Sequence, residues 1–375
     1  MNTDMQKIPM VDLTAQYKSI KKDIDGSIKS VITDTAFVGG KYVEQFEKKI
    51  AKYCDTKYAV GLNSGTDALY LALWALGIEE GDEVITSPFT FFATAEVSAR
   101  FGAKPVFVDI DPKTFNIDAK KIEQKITSRT KAIIPVHIFG YPADMKEIMR
   151  LAKKYKLFVI EDACQAIGAK HNGKKIGSIG HVGAFSFFPS KNLGAYGDGG
   201  IITTNHKKLA DKIRSLRNHG SVVKYYNDEI GVSSRLDGIQ ASILSAKLKY
   251  LNKWNKDRAK IAKQYNEILK DIEWIELPEY EINRKTTHVF HQYTIRVKNG
   301  KRNELQKYLA KKGIASMIYY PIPLQQLKAM KYLGYKRGAL PEVEKACKEV
   351  LSLPIYPELK QKQIKYITQQ MASHG

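Results

Sequence analysis

The sequence predicts an α/β fold: a three-layer α/β/α large domain with a mostly parallel sheet, plus a smaller C-terminal α/β domain. Three observations carry this expectation. Short apolar runs alternate with helix-length segments from Tyr58 to Thr204, the runs are apolar throughout rather than at every second residue, and the pattern changes after Arg235. At 375 residues the chain exceeds what one hydrophobic core usually serves, so two unequal domains are expected, residues 1–245 and 246–375.

The runs are Tyr58–Leu62, Glu83–Thr86, Pro105–Val108, Ala132–Val136, Leu157–Ile160, Ala184–Phe187 and Gly200–Thr204. Runs apolar on both faces suit strands covered by helices on either side. Such sheets bind ligands at the carboxyl ends of their strands. Beyond Arg235 a Lys-rich helical stretch continues to about Asp271, and a second mixed region contains His291–Val297, Ile314–Tyr319 and two helix-like segments. Tyr320–Leu324, with its prolines, reads as an ordered loop or extended segment of the smaller domain.

Hydrophobic residues at 43% and charged residues at 26% place the chain among ordinary soluble globular proteins. No stretch approaches the roughly 20 apolar residues of a membrane span, and Met1 to Val11 lacks the apolar core of a secretion signal. A cytoplasmic protein with no membrane partner is expected. The three cysteines, Cys54, Cys164 and Cys347, are widely spaced, which argues against disulfides or a metal site and suggests small buried fillers. The net charge of +21 invites an anionic partner, but most of the excess is Lys interspersed with Glu and Asp on helix-like segments, as in Asn252 to Asp271. Solvated faces account for it. No nucleic-acid-binding motif is visible, so no nucleic-acid partner is expected; a basic nucleic-acid-binding regulator is the different-class alternative and rests on charge alone.

Three strand ends carry polar groups that make sense together. In Leu62-Asn63-Ser64-Gly65-Thr66-Asp67-Ala68 a strand gives way to small and hydroxyl residues at a helix start, where backbone N–H groups favour a phosphate. An ordinary N-cap by Ser64 or Thr66 accounts for the same residues. In Phe158-Val159-Ile160-Glu161-Asp162-Ala163-Cys164-Gln165 the carboxylate of Asp162 leaves a buried strand, placed for a ligand, a cap or a metal. No His or second carboxylate stands at metal-ligand spacing nearby. In the run from Gly183 to Gly200, Lys191 follows a buried strand in a Ser-, Pro- and Gly-rich loop, where an amine can meet a carbonyl compound and form a Schiff base.

These motifs resemble the DegT/StrS family of sugar aminotransferases, which belong to the fold-type I, aspartate-aminotransferase-like pyridoxal-phosphate enzymes. The resemblance runs nearly end to end: Phe37-Val38-Gly39-Gly40, Asn63-Ser64-Gly65-Thr66, Glu161-Asp162-Ala163, the Ser186 to Gly200 run, Ser234-Arg235-Leu236-Asp237-Gly238-Ile239-Gln240-Ala241 and Leu351-Ser352-Leu353-Pro354. The Lys191 and Arg235 runs are the most specific.

The resemblance implies pyridoxal 5'-phosphate bound through Lys191, with Asp162 pairing the pyridine nitrogen. It implies Gln165 beside the ring hydroxyl, Phe91 stacked on the ring face, and Gly65, Thr66 and Ser186 around the phosphate. Phe89 and Phe92 would then be core. It further implies transfer of an amino group from L-glutamate to a nucleotide-linked keto-sugar, with Lys191 as both anchor and acid/base, and a homodimer with shared active sites. The Lys191 and Arg235 runs look most like those of enzymes that aminate 3-keto-sugars; a C4-keto-sugar is the alternative. Phe188 and Gln325 are the substrate candidates. Two departures stand out: many relatives have Asn where Ser233 stands, reaching the cofactor phosphate of the partner subunit, and His where Gln325 follows Pro323-Leu324.

Overall fold

The computed structural model describes residues 7–374 apart from Glu279 and Glu281. All seven apolar runs fall in one sheet: β1 (Tyr58–Leu62), β2 (Glu83–Thr86), β3 (Lys104–Phe107), β4 (Thr130–Ile134), β5 (Phe158–Asp162), β6 (Val182–Ser186) and β7 (Gly200–Thr204). Their order across the sheet is β1-β7-β6-β5-β4-β2-β3. Pairs from β3 through β6 are parallel, and β7 runs antiparallel to both its neighbours.

Burial explains why the runs do not alternate. Ala59, Ile85, Ile133, Val159, Phe185 and Ile201 face one layer, with Phe46 and Ile50 of α2 (Gly40–Tyr53), Ile148 and Leu151 of α5 (Met145–Tyr155) and Leu244 of α7 (Gly238–Leu248). Their neighbours Val60, Val84, Ala132, Ile160, Ala184 and Ile202 face the other, with Leu69 and Leu73 of α3 (Gly65–Ala75), Val97 of α4 (Ala93–Ala99) and Ile213 of α6 (Lys207–Leu216). Each fully buried aliphatic side chain contributes roughly 1.5–3 kcal/mol, so both faces are anchored in register. The remaining N-terminal helix, α1 (Leu13–Thr33), packs Ile20 and Ile24 against Ile243 and Ala246 of α7.

A second core gathers around the antiparallel strands β8 (Ile275–Glu276), β9 (Tyr293–Val297) and β10 (Val350–Leu353). Helices α8 (Leu251–Leu269), α9 (Arg302–Lys311) and α11 (Gln361–Ala372) cover it through Tyr265, Leu305, Leu309, Ile364 and Ile367. Leu251 of α8 belongs to the large core and Ile261 to the second, so this helix joins the two. Ile8, from the opposite end of the chain, pairs with Ile314 inside the second core. The expected run Ile314–Tyr319 is not a strand; Met317 makes only an isolated bridge to Ser352.

A third cluster joins the two parts. Phe89, Phe107 and Phe139 pack with Leu324, Met330, Leu340 and Val343. Asp109, just past β3, accepts the N–H groups of Glu342 and Val343 at 3.0 Å each and so caps α10 (Pro341–Glu349). The chain after residue 320 is thereby laid against the edge of the large sheet, near the carboxyl ends of its strands. Among the described residues no helix is long and apolar enough to cross a membrane.

Candidate active site

The site forms where β5 and β6 end together. They run parallel with Asp162 opposite Ala184, so the chains leaving Asp162 and Ser186 open into the same space. Past β6 the backbone folds back: Lys191 N–H donates to Phe188 O at 2.9 Å and Ala195 N–H to Phe187 O at 2.8 Å. Gly194 permits this turn, since a Cβ there would lie 2.2 Å from Pro189 O. Lys247 holds the same turn from α7, its buried amine donating to Gly194 O at 2.7 Å and lying over the Tyr196 ring. Lys191 is thus returned to the strand ends.

Lys191 and Asp162 line one cavity of about 400 Å³. Gly65, Thr66, Phe91, Gln165, Ser186 and Phe188 line it too, so eight of the ten predicted site residues come together. The Asp162 carboxylate is buried; Oδ2 accepts from Thr94 Oγ1 at 2.7 Å and Oδ1 from Cys164 N–H at 3.3 Å. Gln165 accepts from Phe139 N–H at 2.8 Å and donates to Tyr320 Oη at 3.4 Å. Phe91 is well exposed, whereas Phe89 is fully buried and Phe92 packs against the third cluster, as expected of them.

At the start of α3, Ser64 is the N-cap and accepts from Asp67 N–H at 3.1 Å. Gly65 is squeezed: a Cβ there would meet Ser186 Cβ at 2.6 Å and Cys164 Sγ at 2.9 Å. The helix start and the end of β6 are therefore in contact, and backbone N–H groups with the Thr66 and Ser186 hydroxyls border one corner of the cavity. Neutral donors at a helix N-terminus, an aromatic face, a buried carboxylate and a desolvated amine fit the phosphate, ring, ring nitrogen and carbonyl of pyridoxal phosphate.

Burial lowers the pKa of Lys191 from the ordinary lysine value, with Cys164 and Asp162 acting against it. A lowered amine pKa suits a nucleophile. Burial, and then Asp162, push the Cys164 thiol well up. Cys54 and Cys347 are the buried fillers expected, but Cys164 is partly exposed and lines the cavity, because Asp162 two residues earlier brings it there.

Ser233 and Gln325 are not among the cavity's lining residues. Ser233 is exposed and its hydroxyl accepts from Arg235 Nη2 at 2.9 Å. Gln325 is buried in the turn Leu324–Gln326, and neither amide atom has a partner among the described residues. Thr94, Tyr319, Tyr320 and His291 line the cavity without having been singled out for it. Among the described residues no three His, Cys, Asp or Glu could hold a metal.

The profile of the DegT/DnrJ/EryC1/StrS aminotransferase family matches residues 18–372, and the chain belongs to that family, whose aminotransferases depend on pyridoxal phosphate. It is a sugar aminotransferase. Among its relatives, a Geobacillus stearothermophilus protein named "Pleiotropic regulatory protein" is 51% identical, covering 97% of this chain and 98% of that one. A UDP-N-acetyl-3-dehydro-alpha-D-glucosamine 3-aminotransferase of Acidithiobacillus ferrooxidans is 46% identical, with 96% of both chains covered. The crystal structure of S. venezuelae DesV, in complex with a ketimine intermediate, superposes with a TM-score of 0.95 at 39% identity, covering 98% of both chains.

Proposed function

We propose that this chain moves an amino group from L-glutamate to C3 of a nucleotide-linked keto-sugar in the cytoplasm, using pyridoxal phosphate carried on Lys191. The observation that carries this reading is the meeting of a desolvated lysine amine and a buried carboxylate at adjacent parallel strand ends. The bound cofactor supplies the electron sink for the donor's α-carbon. Lys191 anchors it and, once released, moves the α-proton as a general base and returns it as an acid. Asp162, oriented by Thr94, faces the ring nitrogen, and the backbone at Gly65 with Thr66 and Ser186 holds the phosphate. Gln165 has its oxygen committed to Phe139 and one amide hydrogen to Tyr320, which leaves the other amide hydrogen for the ring hydroxyl. Phe91 covers the ring and Phe188 meets the sugar nucleotide, while Gln325, buried outside the cavity, is left without a substrate contact.

The name of the 46% identical relative supports C3, with a C4-keto-sugar as the alternative. We place the large domain at residues 1–245 and the small domain at 246–375, with the stretch at Ile8 packing into the core of the small one. We also propose a two-fold homodimer that shares its active sites. Its supports are the exposed apolar side chains Val222, Tyr225, Tyr226 and Ile230, and the position of Ser233 outside its own chain's cavity. The name of the 51% identical relative favours a regulator as the second reading.

Borohydride reduction and peptide mapping test the cofactor assignment: the adduct is expected on Lys191, and an adduct on another lysine refutes it. Glutamate with 3-keto or 4-keto sugar nucleotides, followed by NMR of the product, tests the substrate. Steeply salt-dependent DNA binding with no sugar turnover would favour the regulator.

A further inference from the structure

Asn192, the residue after Lys191, is buried, yet the proposed chemistry gives it no task. Its amide nitrogen donates to Val289 O at 2.9 Å and to Asn255 Oδ1 at 2.8 Å, which uses both hydrogens. Its oxygen has no hydrogen-bond partner among the described residues. A buried polar atom left unpaired is uncommon and costly, so the side chain is kept for what its nitrogen holds.

Backbone carbonyls set the direction of both amides. Asn255, on α8, donates from Nδ2 to Ile167 O at 3.0 Å. Ile167 O and Val289 O can only accept, so Asn255 turns its nitrogen to one and Asn192 its nitrogen to the other. The Asn255 oxygen is left facing Asn192. Gly168, at φ +90°, leaves room for the arrangement, since a Cβ there would lie 2.8 Å from Asn255 Nδ2. A flipped Asn192 would set its oxygen against two acceptors and lose both bonds.

Three walls of the cavity meet at this node. Lys191 directly precedes Asn192, Gln165 stands two residues before Ile167, and His291 two residues after Val289; all three line the cavity. Arg258, one turn further along α8, fixes the last of these segments, donating from Nη1 to Phe290 O at 3.1 Å and to Ile355 O at 2.8 Å. Phe290 itself has φ 44°, left-handed backbone that persists only where the surroundings over-determine it. The turn that carries Lys191 is also tied by its backbone to the end of β6 and through Gly194 to Lys247 of α7. Those bonds hold it from one side. Asn192 fixes it against the walls that carry Gln165 and His291.

We infer that Asn192 is a positioning residue for Lys191: its amide, oriented by Asn255, holds the Lys191 backbone in register with the Gln165 and His291 walls, so that the amine meets the carbonyl of the cofactor. Asn192 lies outside the cavity lining and exchanges no proton. The inference rests on Lys191 being the cofactor lysine.

The test compares wild type, Asn192→Leu and Asn255→Leu with Tyr265→Phe, which removes a buried hydrogen bond to Pro354 O in the second core, away from the cavity. Two measurements are made on cofactor-free protein. Mixing with pyridoxal phosphate, followed by visible absorbance, gives the rate at which the Lys191 amine condenses with the carbonyl and water leaves. Titration with pyridoxamine phosphate, which has no carbonyl, gives the affinity of the ring and phosphate contacts alone. Asn192→Leu should slow condensation about tenfold, less than the roughly hundredfold that a 1 Å misplacement can cost, because Lys247 and the backbone bonds still hold the turn. Its affinity for pyridoxamine phosphate should be unchanged. Asn255→Leu should slow condensation as well, and the double variant should fall short of the product of the two effects, because both remove the same bond. Tyr265→Phe should lower the melting temperature and leave the rate alone. In the loaded enzyme, Asn192→Leu should lower kcat with little change in KM for glutamate. An unchanged rate in Asn192→Leu, an equal loss of pyridoxamine phosphate affinity, effects that multiply in the double variant, or a Tyr265→Phe protein as slow as Asn192→Leu overturns the proposal. Should Asn192→Leu fail to fold, Asn192→Ser, which gives up the reach of the amide, is read by the same measurements against the same outcomes. A borohydride adduct on a different lysine refutes the function of Lys191 instead, while an adduct on Lys191 with an unmoved rate refutes only the role of Asn192.

Discussion

Thr94→Val removes one hydroxyl from the wall of the cavity and keeps the side chain's shape. The hydroxyl donates to Asp162 Oδ2 at 2.7 Å, and Thr90 Oγ1 lies 3.0 Å behind it. Because the Thr94 hydrogen is committed to the carboxylate, Thr90 is the donor in the second contact. All three side chains are buried in the cavity wall. A bond to a carboxylate contributes about 1.5–3 kcal/mol and a neutral one about 0.5–1.5 kcal/mol, which puts the loss near 2–4 kcal/mol. Part of this appears in the melting temperature of the apoprotein. The rest appears in cofactor binding, since Asp162 keeps only the longer bond from Cys164 N–H and no longer meets the ring nitrogen in a fixed orientation. A loss of about 1.4–2.8 kcal/mol there weakens binding ten- to a hundredfold. Titration of apoprotein with pyridoxal phosphate, followed by absorbance, measures this for wild type, Thr94→Val and Thr94→Ser. Serine keeps the hydroxyl and should bind nearly as wild type. Equal affinity in Thr94→Val and wild type refutes the reasoning, as does a serine variant as weak as the valine one.

Other outcomes follow from the same geometry. Lys191→Ala should fold and lose transamination, read by circular dichroism and by glutamate turnover. Gly65→Ala should cut cofactor affinity at least tenfold, because the new Cβ falls 2.6 Å from Ser186 Cβ and pushes the helix start away from the end of β6; titration of the apoprotein reads it. Burial lowers the Lys247 pKa to about 8. Between that value and the unfolded lysine value of about 10.4 the unfolded chain binds the extra proton, so this group's contribution to stability rises with pH; Lys247→Met should lose that rise in urea unfolding measured at pH 7 and pH 10. Ser233→Asn should keep or strengthen cofactor affinity, and mixing Lys191→Ala with a separately inactivated variant of the 231–235 loop should restore part of the activity if sites are shared between subunits.

The large sheet was legible because its strands are covered on both sides. Val84 and Ile85, or Ile160 and Val159, point to opposite helical layers, and both must be apolar, which leaves a continuous run in the sequence. Ile314–Tyr319 is apolar for another reason: Ile314 and Ile318 fill the second core from a segment that makes only isolated bridges. Lys191 and Asp162 were readable because Asp162 ends one buried strand and Lys191 lies in the loop that leaves another. Tyr320 and His291 were not, since they reach the cavity through the packing of residues 320–343 on the sheet edge and through the Arg258 contacts, both set by pairings distant in sequence. Ser64 shows the limit of a local signal. The hydroxyl run announced a helix cap and a phosphate corner in the same residues, and the structure uses Ser64 for the cap while Ser64, Gly65 and Thr66 all border the cavity.

The wall that carries Gln165 and His291 explains why sequence concealed it. Segments 137–141 and 288–292 are stitched together, Val289 N–H to Gly140 O at 3.1 Å and Gln292 N–H to Phe139 O at 3.3 Å. Each contains a phenylalanine at positive φ, Phe139 at 57° and Phe290 at 44°. Glycine is the residue that ordinarily signals such backbone, and phenylalanine at positions 139 and 290 removes that signal at both places. The choice follows from magnitudes. Left-handed backbone costs a non-glycine residue about 1–3 kcal/mol. Phe139 is fully buried, edge-on to Phe89 at 6.0 Å and to Phe115 at 5.8 Å, so glycine there would leave a cavity of benzyl size. Truncating a buried phenylalanine costs about 3–5 kcal/mol, more than the strain it would relieve. Packing therefore outweighs backbone ease at this seam. Phe139 keeps its amide aimed at Gln165, whose own amide is left to face the cavity.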